Sequence, residues 1–276
     1  MYLSCLLIDT GNNADRVRPG RLWLRNRYRV HQRLCMGFPS RKRTEADPEF
    51  LNPYTPEDFP EQRHLADKSA KKGEVAPEVL RQVHEQRTKN SGFLFRIDTL
   101  SSNRAVILVQ SAVRPDWGYA FHNADFLLAA PPQVRVFDPR FEKGQRLRFR
   151  LFANPVRRIS RNSLGADGKP VDRKWHGKRV PVPANRLFDW LSRRGETGGF
   201  AVDEGVCLVQ PGYKYFDKKL AGGNTGEGVA QRARLWSVRF DGILTVEKPD
   251  CFHKTIASGI GPAKAFGFGL LSVARA

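Results

Sequence analysis

From Arg146 the sequence reads RLRFRLFANPV, with Leu147, Phe149, Leu151 and Ala153 alternating against a row that is mostly arginine. A period of two is the pattern of a β-strand, which sends every second side chain to the same face. This stretch therefore demands a sheet with one face buried against a core and the other cationic. Any fold for the chain must cover the apolar face with a second layer and leave the arginine face open.

Neighbouring segments show what surrounds that strand. YLSCLLI (2–8) reads as a buried strand with a turn-forming TGNN behind it. Asn26 stands as the N-cap of a helix over RYRVHQRLCM (27–36), which Gly37 and Pro39 end and whose Val30 and Leu34 face the core. FLFRIDTL (93–100) and AVILVQSAV (105–113) read as an antiparallel hairpin around SSNR, and VRVFD (134–138) as a further strand. A helical segment is expected between the last two. In the second half, RLRFRLFANPV precedes a helix over NRLFDWLSRRG (185–195) that Gly195 stops. VCLVQPGYKYF and RLWSVRFDGILTVEK (206–248) supply strands, PDCFHKTIASGI a helix opened by Pro249, and FGLLSVAR the last strand.

Each half thus runs strand, helix, strand, strand, helical segment, strand, although no sequence repeat is visible. That order predicts an α+β protein of two tandem ferredoxin-like (RRM-like) domains, each an antiparallel sheet with helices on one face. The expected domains are 1–142 and 143–276, with a seam near FEKGQ (141–145). The stretch 40–90 is rich in charge and proline and reads as an exposed insertion or partly disordered loop, with one helix near PEVLRQVHEQRTK (77–89).

Charge narrows the partner. With 47 Lys and Arg against 28 Asp and Glu, the 276-residue chain carries a net charge of +19. Such an excess favours a polyanion, either nucleic acid or an anionic membrane surface. No apolar run approaches the roughly 20 residues that span a bilayer, so a membrane partner is not expected. The N-terminus lacks a basic n-region and a small-residue cleavage site, which makes the cytoplasm the expected compartment. Cys5, Cys35, Cys207 and Cys251 form no CxxC pair, and no histidines sit at zinc spacing. They are expected to be small buried hydrophobes in a reducing compartment, and no metal site or cofactor is expected.

Near the C-terminus GIGPAKAFGFG (259–269) sets Gly259, Gly261, Gly267 and Gly269 as two G-apolar-G pairs around Lys264. Glycines let a backbone adopt positive φ and approach a ligand closely, and clustered N–H groups can cradle an anion. The loop lacks GxxxxGK[ST], and it lies between a helix and a final strand, so it is neither a Walker loop nor a dinucleotide fingerprint. Read alone, it is a tight turn or an anion cradle, and both readings stay open.

This loop resembles the C-terminal signature of the CRISPR-associated RNA-binding superfamily (RAMP) built on ferredoxin-like folds. MYLSCLLID, RYRVHQRL, FLFRID, VILVQS, RPDW, ANPV and GKRV follow in the order expected of the repeat-processing endoribonuclease of the type I-E Cascade system, the CasE family. The resemblance runs from residue 1 to 276 and is weakest over 40–90. It implies an enzyme that binds the hairpin of the CRISPR repeat, cuts once at the 3′ base of the stem and stays on the guide RNA with other Cascade subunits. The isolated chain is expected to be a monomer.

Metal-free RNA cleavage moves a proton off the 2′-OH and another onto the 5′-oxygen, and histidine titrates in the right range for either step. Tyr28 and His31 lie three apart on the first helix and share a face. The resemblance places an active histidine and a nearby tyrosine there, which implies His31 and Tyr28 as catalytic residues; whether His31 is acid or base stays open. No acidic cluster resembling a two-metal nuclease is apparent.

The stretch 154–179 is dense in cations, and Gly165 and Gly168 around Asp167 suit a turn. It reads as a basic β-hairpin arm that meets stem phosphates, or else as a solvated basic loop. The expected RNA contacts are Arg157, Arg158, Arg161, Lys174, Lys178 and Arg179, with Lys264 as a further phosphate contact and His176 as a neighbour; His64, His84, His122 and His253 carry no expected role. A non-catalytic scaffold of the same superfamily and a general basic RNA-binding protein are the competing readings.

Overall fold

Period-two segments pair as the alternation requires. In the computed structural model the described residues are 1–11, 19–39, 92–100, 103–122, 124–162, 169–219 and 230–276. The expected insertion at 40–90 with its helix at 77–89, the turn residues Gly165, Asp167 and Gly168, and His64 and His84 lie outside them. The chain divides into two compact units, Met1–Phe93 with Ile97–Asp138, and Leu94–Arg96 with Pro139–Ala276.

The first sheet comprises β1 (Tyr2–Asp9), β2 (Phe93–Thr99), β3 (Arg104–Ser111) and β4 (Gln133–Val136), in the order β2-β3-β1-β4. β1 runs antiparallel to both neighbours, from Tyr2↔Ser111 to Asp9↔Arg104 and from Tyr2↔Val136 to Cys5↔Gln133. The register sets Ser4 opposite Val109, Leu6 opposite Ile107 and Ile8 opposite Ala105, and all six side chains are fully buried. They form one face, as a period of two dictates.

Three helices accompany this sheet: α1 (Pro19–Arg25), α2 (Arg27–Met36) and α3 (Trp117–Phe121). α2 has the expected bounds. The Asn26 side chain accepts the N–H groups of Tyr28 and Arg29, as an N-cap should, and Val30 and Leu34 are fully buried. Gly37 follows because a Cβ there would lie 2.6 Å from the Trp117 ring. α1 was not expected.

The second sheet repeats the plan with β5 (Arg146–Ala153), β8 (Phe200–Val202), β10 (Ala230–Val246) and β11 (Leu271–Arg275) in the order β11-β5-β10-β8, while β9 (Leu208–Lys219) also pairs β10. Taken by chain position, both sheets run last, first, third, second strand, the antiparallel ferredoxin-like arrangement. On β5, Leu147, Phe149, Leu151 and Ala153 are buried as expected. On its other face, Arg150 donates to Asp241 Oδ1 at 2.5 Å and Arg239 donates to Oδ2.

The second position of this sheet is split. β9 pairs residues 230–241 of β10, and β8 pairs 244–246. Gly242 stands at the break, where a Cβ would lie 3.0 Å from the Val206 carbonyl oxygen. β8 was not expected, and the expected strand over 206–216 starts at Leu208 because Glu204–Val206 forms a 3-10 turn.

Two helices complete the unit, α4 (Leu187–Gly198) and α5 (Pro249–Ser258). Gly195 does not stop α4: the helix runs through it to Gly198, and Gly199 caps it in the left-handed region at φ 79°. Gly195 serves close packing instead, since its Cβ would lie 2.4 Å from the Phe200 carbonyl oxygen. Phe200, Phe240 and Phe252 are fully buried around the two helices, with Trp190 stacked on Phe240 at 6.0 Å. All four cysteines are free thiols, but only Cys35 is buried; Cys5, Cys207 and Cys251 are half-exposed, which corrects the expectation for three of them. Burial and the carboxylates of Asp241 and Glu204 push the Cys207 thiol up to about 11.

Candidate functional site

Helix α2 turns one face to the core through Val30 and Leu34 and leaves Tyr28 and His31 half-buried beside it. The His31 ring lies 5.6 Å from the ring of Phe93, and its Nε2 is 3.7 Å from Cys35 Sγ. Phe93 stacks on Phe38 at 5.1 Å, and Trp117 meets Phe38 edge-on at 6.0 Å. An aromatic cluster therefore fixes one side of the imidazole. RPDW supports that cluster: Asp116 caps α3 by accepting the Tyr119 N–H, and Trp117 packs against the Gly37 turn.

Two arginines of the same helix are held inward. Arg27 is buried, which pushes its guanidinium down to about 10 against the opposing pull of the Asp98 carboxylate. Arg33 donates to the Ala120 carbonyl oxygen at 2.9 Å, and burial lowers its pKa too. Arg29 is exposed.

In the second unit, the basic stretch forms β6 (Val156–Arg158) and β7 (Arg179–Pro181), paired with Arg157 opposite Val180 and Arg158 opposite Arg179. The stem of the expected hairpin arm is present. Arg157, Arg158, Arg161, Lys174, Lys178 and Arg179 are all exposed on it or on the chain it closes. Lys178 Nζ stands 4.7 Å over the Trp175 ring, and Lys174 Nζ pairs with Asp172 at 3.0 Å. The Asp172 carboxyl is held below its ordinary range, first by the Lys174 backbone N–H and then by its side chain. His176 donates through Nε2 to the Val171 carbonyl oxygen at 3.1 Å. ANPV anchors the base of the arm, as Asn154 donates to the Trp236 carbonyl oxygen at 2.6 Å and the Pro155 carbonyl oxygen accepts the Val182 N–H.

The glycine loop is closed on itself. Ile260 N–H donates to the Gly269 carbonyl oxygen, and Gly269 N–H donates to Phe152 on β5 at 2.7 Å. A Cβ on Gly259 would lie 2.7 Å from the Gly269 oxygen, and one on Gly269 would lie 2.8 Å from the Ile260 oxygen. Gly259, Gly261, Gly267 and Gly269 all have positive φ, between 71° and 90°. The glycine pairs thus have a structural cause in close backbone approach and left-handed turns. Lys264 sits in a 3-10 turn between them, half-buried, and burial lowers its ammonium pKa.

One cationic row escaped the sequence reading. Arg186, Arg193 and Arg194 lie with Arg157 and Arg158 around one cavity of about 1100 Å³, lined also by Trp190. The available signal was their spacing, 186, 190 and 193–194, which is one helical face. Among the described residues, no group of three or more His, Cys, Asp or Glu is placed to hold a metal ion, and no helix is long and apolar enough to cross a membrane.

The family model for a CRISPR associated protein matches residues 60–275. Over 174 residues the chain is 37% identical to the CRISPR-associated endoribonuclease Cse3 of Thermus thermophilus, covering 61% of this chain and 72% of that protein. Over 186 residues it is 29% identical to the CRISPR system Cascade subunit CasE of Escherichia coli K12, covering 66% of this chain and 81% of that one. The structure of Thermus thermophilus Cse3 bound to an RNA representing a pre-cleavage complex matches with a TM-score of 0.57 and 27% identity, over 99% of this chain and 98% of that chain. With the same two-sheet order, the resembling segments throughout and these matches, the chain belongs to the CRISPR-associated protein family that includes the Cse3 endoribonuclease and the Cascade subunit CasE.

Proposed function

We propose that this chain is a metal-independent, site-specific endoribonuclease that binds the CRISPR repeat stem-loop in precursor crRNA. It cuts at the 3′ base of the stem and stays on the mature crRNA with the other Cascade subunits. The observation that carries this reading is α2, where a half-buried histidine stands one turn from a tyrosine in a chain that is 37% identical over 174 residues to an endoribonuclease. The chain acts in the cytoplasm, as a monomer when isolated, without a cofactor.

The reaction is an internal transesterification. The 2′-oxygen at the cut attacks the adjacent phosphorus, the bond from phosphorus to the 5′-oxygen breaks, and the products carry a 2′,3′-cyclic phosphate and a 5′-hydroxyl. One proton leaves the 2′-OH and one reaches the 5′-oxygen. His31 serves one of these transfers, its ring held by Phe93 and Cys35, and Tyr28 positions the 2′-OH. Arg157, Arg158, Arg161, Lys174, Lys178 and Arg179 hold stem phosphates, and Lys264 holds one more. Backbone contact of this kind suits a stem whose major groove is too deep and narrow for side chains to read.

The deciding experiment incubates the purified chain with its own repeat RNA in EDTA and maps the product ends. Cleavage at the base of the stem with a cyclic phosphate is expected. Activity that chelation abolishes and magnesium restores would sink the mechanism. Equal affinity for unrelated stem-loops would favour a general basic RNA-binding protein instead.

A further inference from the structure

The second unit carries a cavity whose charge the hairpin alone does not explain. Its volume is about 1100 Å³, and two elements wall it. From β6 come Arg157 and Arg158; from α4 and the residue before it come Trp190, Arg193, Arg194 and Arg186. All five arginines are exposed, and none forms an ion pair among the described residues. Among the described residues, no carboxylate side chain lines the cavity.

The α4 row is built to stay in place. Leu187, Trp190, Leu191 and Gly195 of the same helix are buried, which anchors it against the core and fixes the flank that carries the arginines. Trp190 is stacked on Phe240, and the Arg194 guanidinium lies 5.6 Å from its ring. Arg193 Nε donates to the Asp189 carbonyl oxygen at 3.2 Å. Behind Trp190 is the glycine loop: a Cβ at Gly261 would touch the indole at 3.4 Å. Arg186 is the N-cap residue of α4, and no side chain caps the helix there, so its positive end adds to the field of the cavity.

Five guanidiniums converging on one concavity focus a positive potential and match the paired oxygens of phosphodiesters. The volume lies just above the roughly 300–1,000 Å³ of small-molecule sites, which leaves room for a short run of nucleotides. A duplex presents a convex rod and cannot enter such a hollow; a single strand, with its backbone free to bend, can. We propose that this groove binds the unpaired RNA segment flanking the repeat stem, with Arg186, Arg193 and Arg194 on its phosphates while Arg157 and Arg158 stand where stem and flank meet. The proposal rests on the repeat-RNA reading above.

The test measures affinities for three RNAs: the bare repeat stem-loop, and the same stem-loop with six unpaired nucleotides added on the 5′ or the 3′ side. At least one extension should tighten binding by about tenfold, the effect of a charge-assisted hydrogen bond or two, and should steepen the salt dependence. In R186A/R193A/R194A, checked by thermal melting to be folded, that gain should fall below twofold. R193K/R194K should keep only part of it, because lysine retains the charge but lacks the paired donors of the guanidinium. An extension gain below twofold in the wild type, or a full gain in the triple variant, overturns the groove assignment. If the wild type fails to bind even the bare stem-loop, the repeat-RNA reading fails first and the groove proposal falls with it.

Discussion

The two sheets share one strand order and differ in what they expose. The first unit keeps a single strand at the second position and surrounds α2 with aromatic side chains that hold one histidine. The second unit splits that position into β8 and β9 and carries its cations on the β6–β7 arm and the face of α4. One topology thus supports two different surfaces: a small, half-buried one around His31, and a broad, exposed, basic one on the arm and α4. The lesson is that the sheet order positions the surfaces and the helix faces choose the chemistry.

Substitutions on each side of this division should separate catalysis from grip. The largest effect is expected from His31→Ala, which should slow single-turnover cleavage by about 10²–10⁴-fold, the usual worth of a positioned acid or base. Its affinity for the repeat stem-loop should stay within about twofold. A comparable loss of affinity would mean that α2 grips RNA rather than transfers protons, and the division between units would collapse.

Next come the cores. Leu34→Ala in the first unit and Leu151→Ala in the second each remove a fully buried side chain. Each should cost about 2–5 kcal/mol in denaturant titration. A single cooperative transition shifted by both would show the two units unfolding together, whereas two transitions, each moved by one variant, would sharpen the comparison.

A smaller effect is expected from R157A/R158A/R161A. Stem-loop affinity should fall, and the log–log salt slope should flatten by about 2, at about 0.7–0.9 per lost phosphate contact. Cleavage of bound RNA should remain within about threefold, since none of the three is assigned a proton-transfer role. Unchanged affinity would return the arm to the solvated-loop reading.

The smallest effect concerns helix ends. Asn26→Ala removes a cap from α2 and should cost about 1 kcal/mol of stability. Because α4 has no side-chain cap, Arg186→Ala should change stability by less than about 0.5 kcal/mol. Thermal melting of both variants decides it; an equal loss would mean that Arg186 does structural work the geometry does not reveal.

Much of this was legible in the sequence because it depends on local order. The alternation at 146–153, the Asn26 cap, the Pro249 helix start and the order of elements in each half rest on near neighbours along the chain. The glycine loop and the short motifs carried the family. His31 and Tyr28 are proposed as the catalytic pair from their helical spacing and the resemblance, and the structure places both half-buried on α2. Only the tertiary structure decided the roles that depend on distant partners. Gly195 reads as a helix stop until the Phe200 carbonyl is found 2.4 Å from where its Cβ would be. Gly242 gains its meaning from Val206, and Gly37 from Trp117. Arg186, Arg193 and Arg194 look like an ordinary solvated helix face until the fold brings Arg157 and Arg158 to the same hollow. Periodicity states which way a side chain points; what it meets there is set by chain segments far away in sequence, which packing alone brings together.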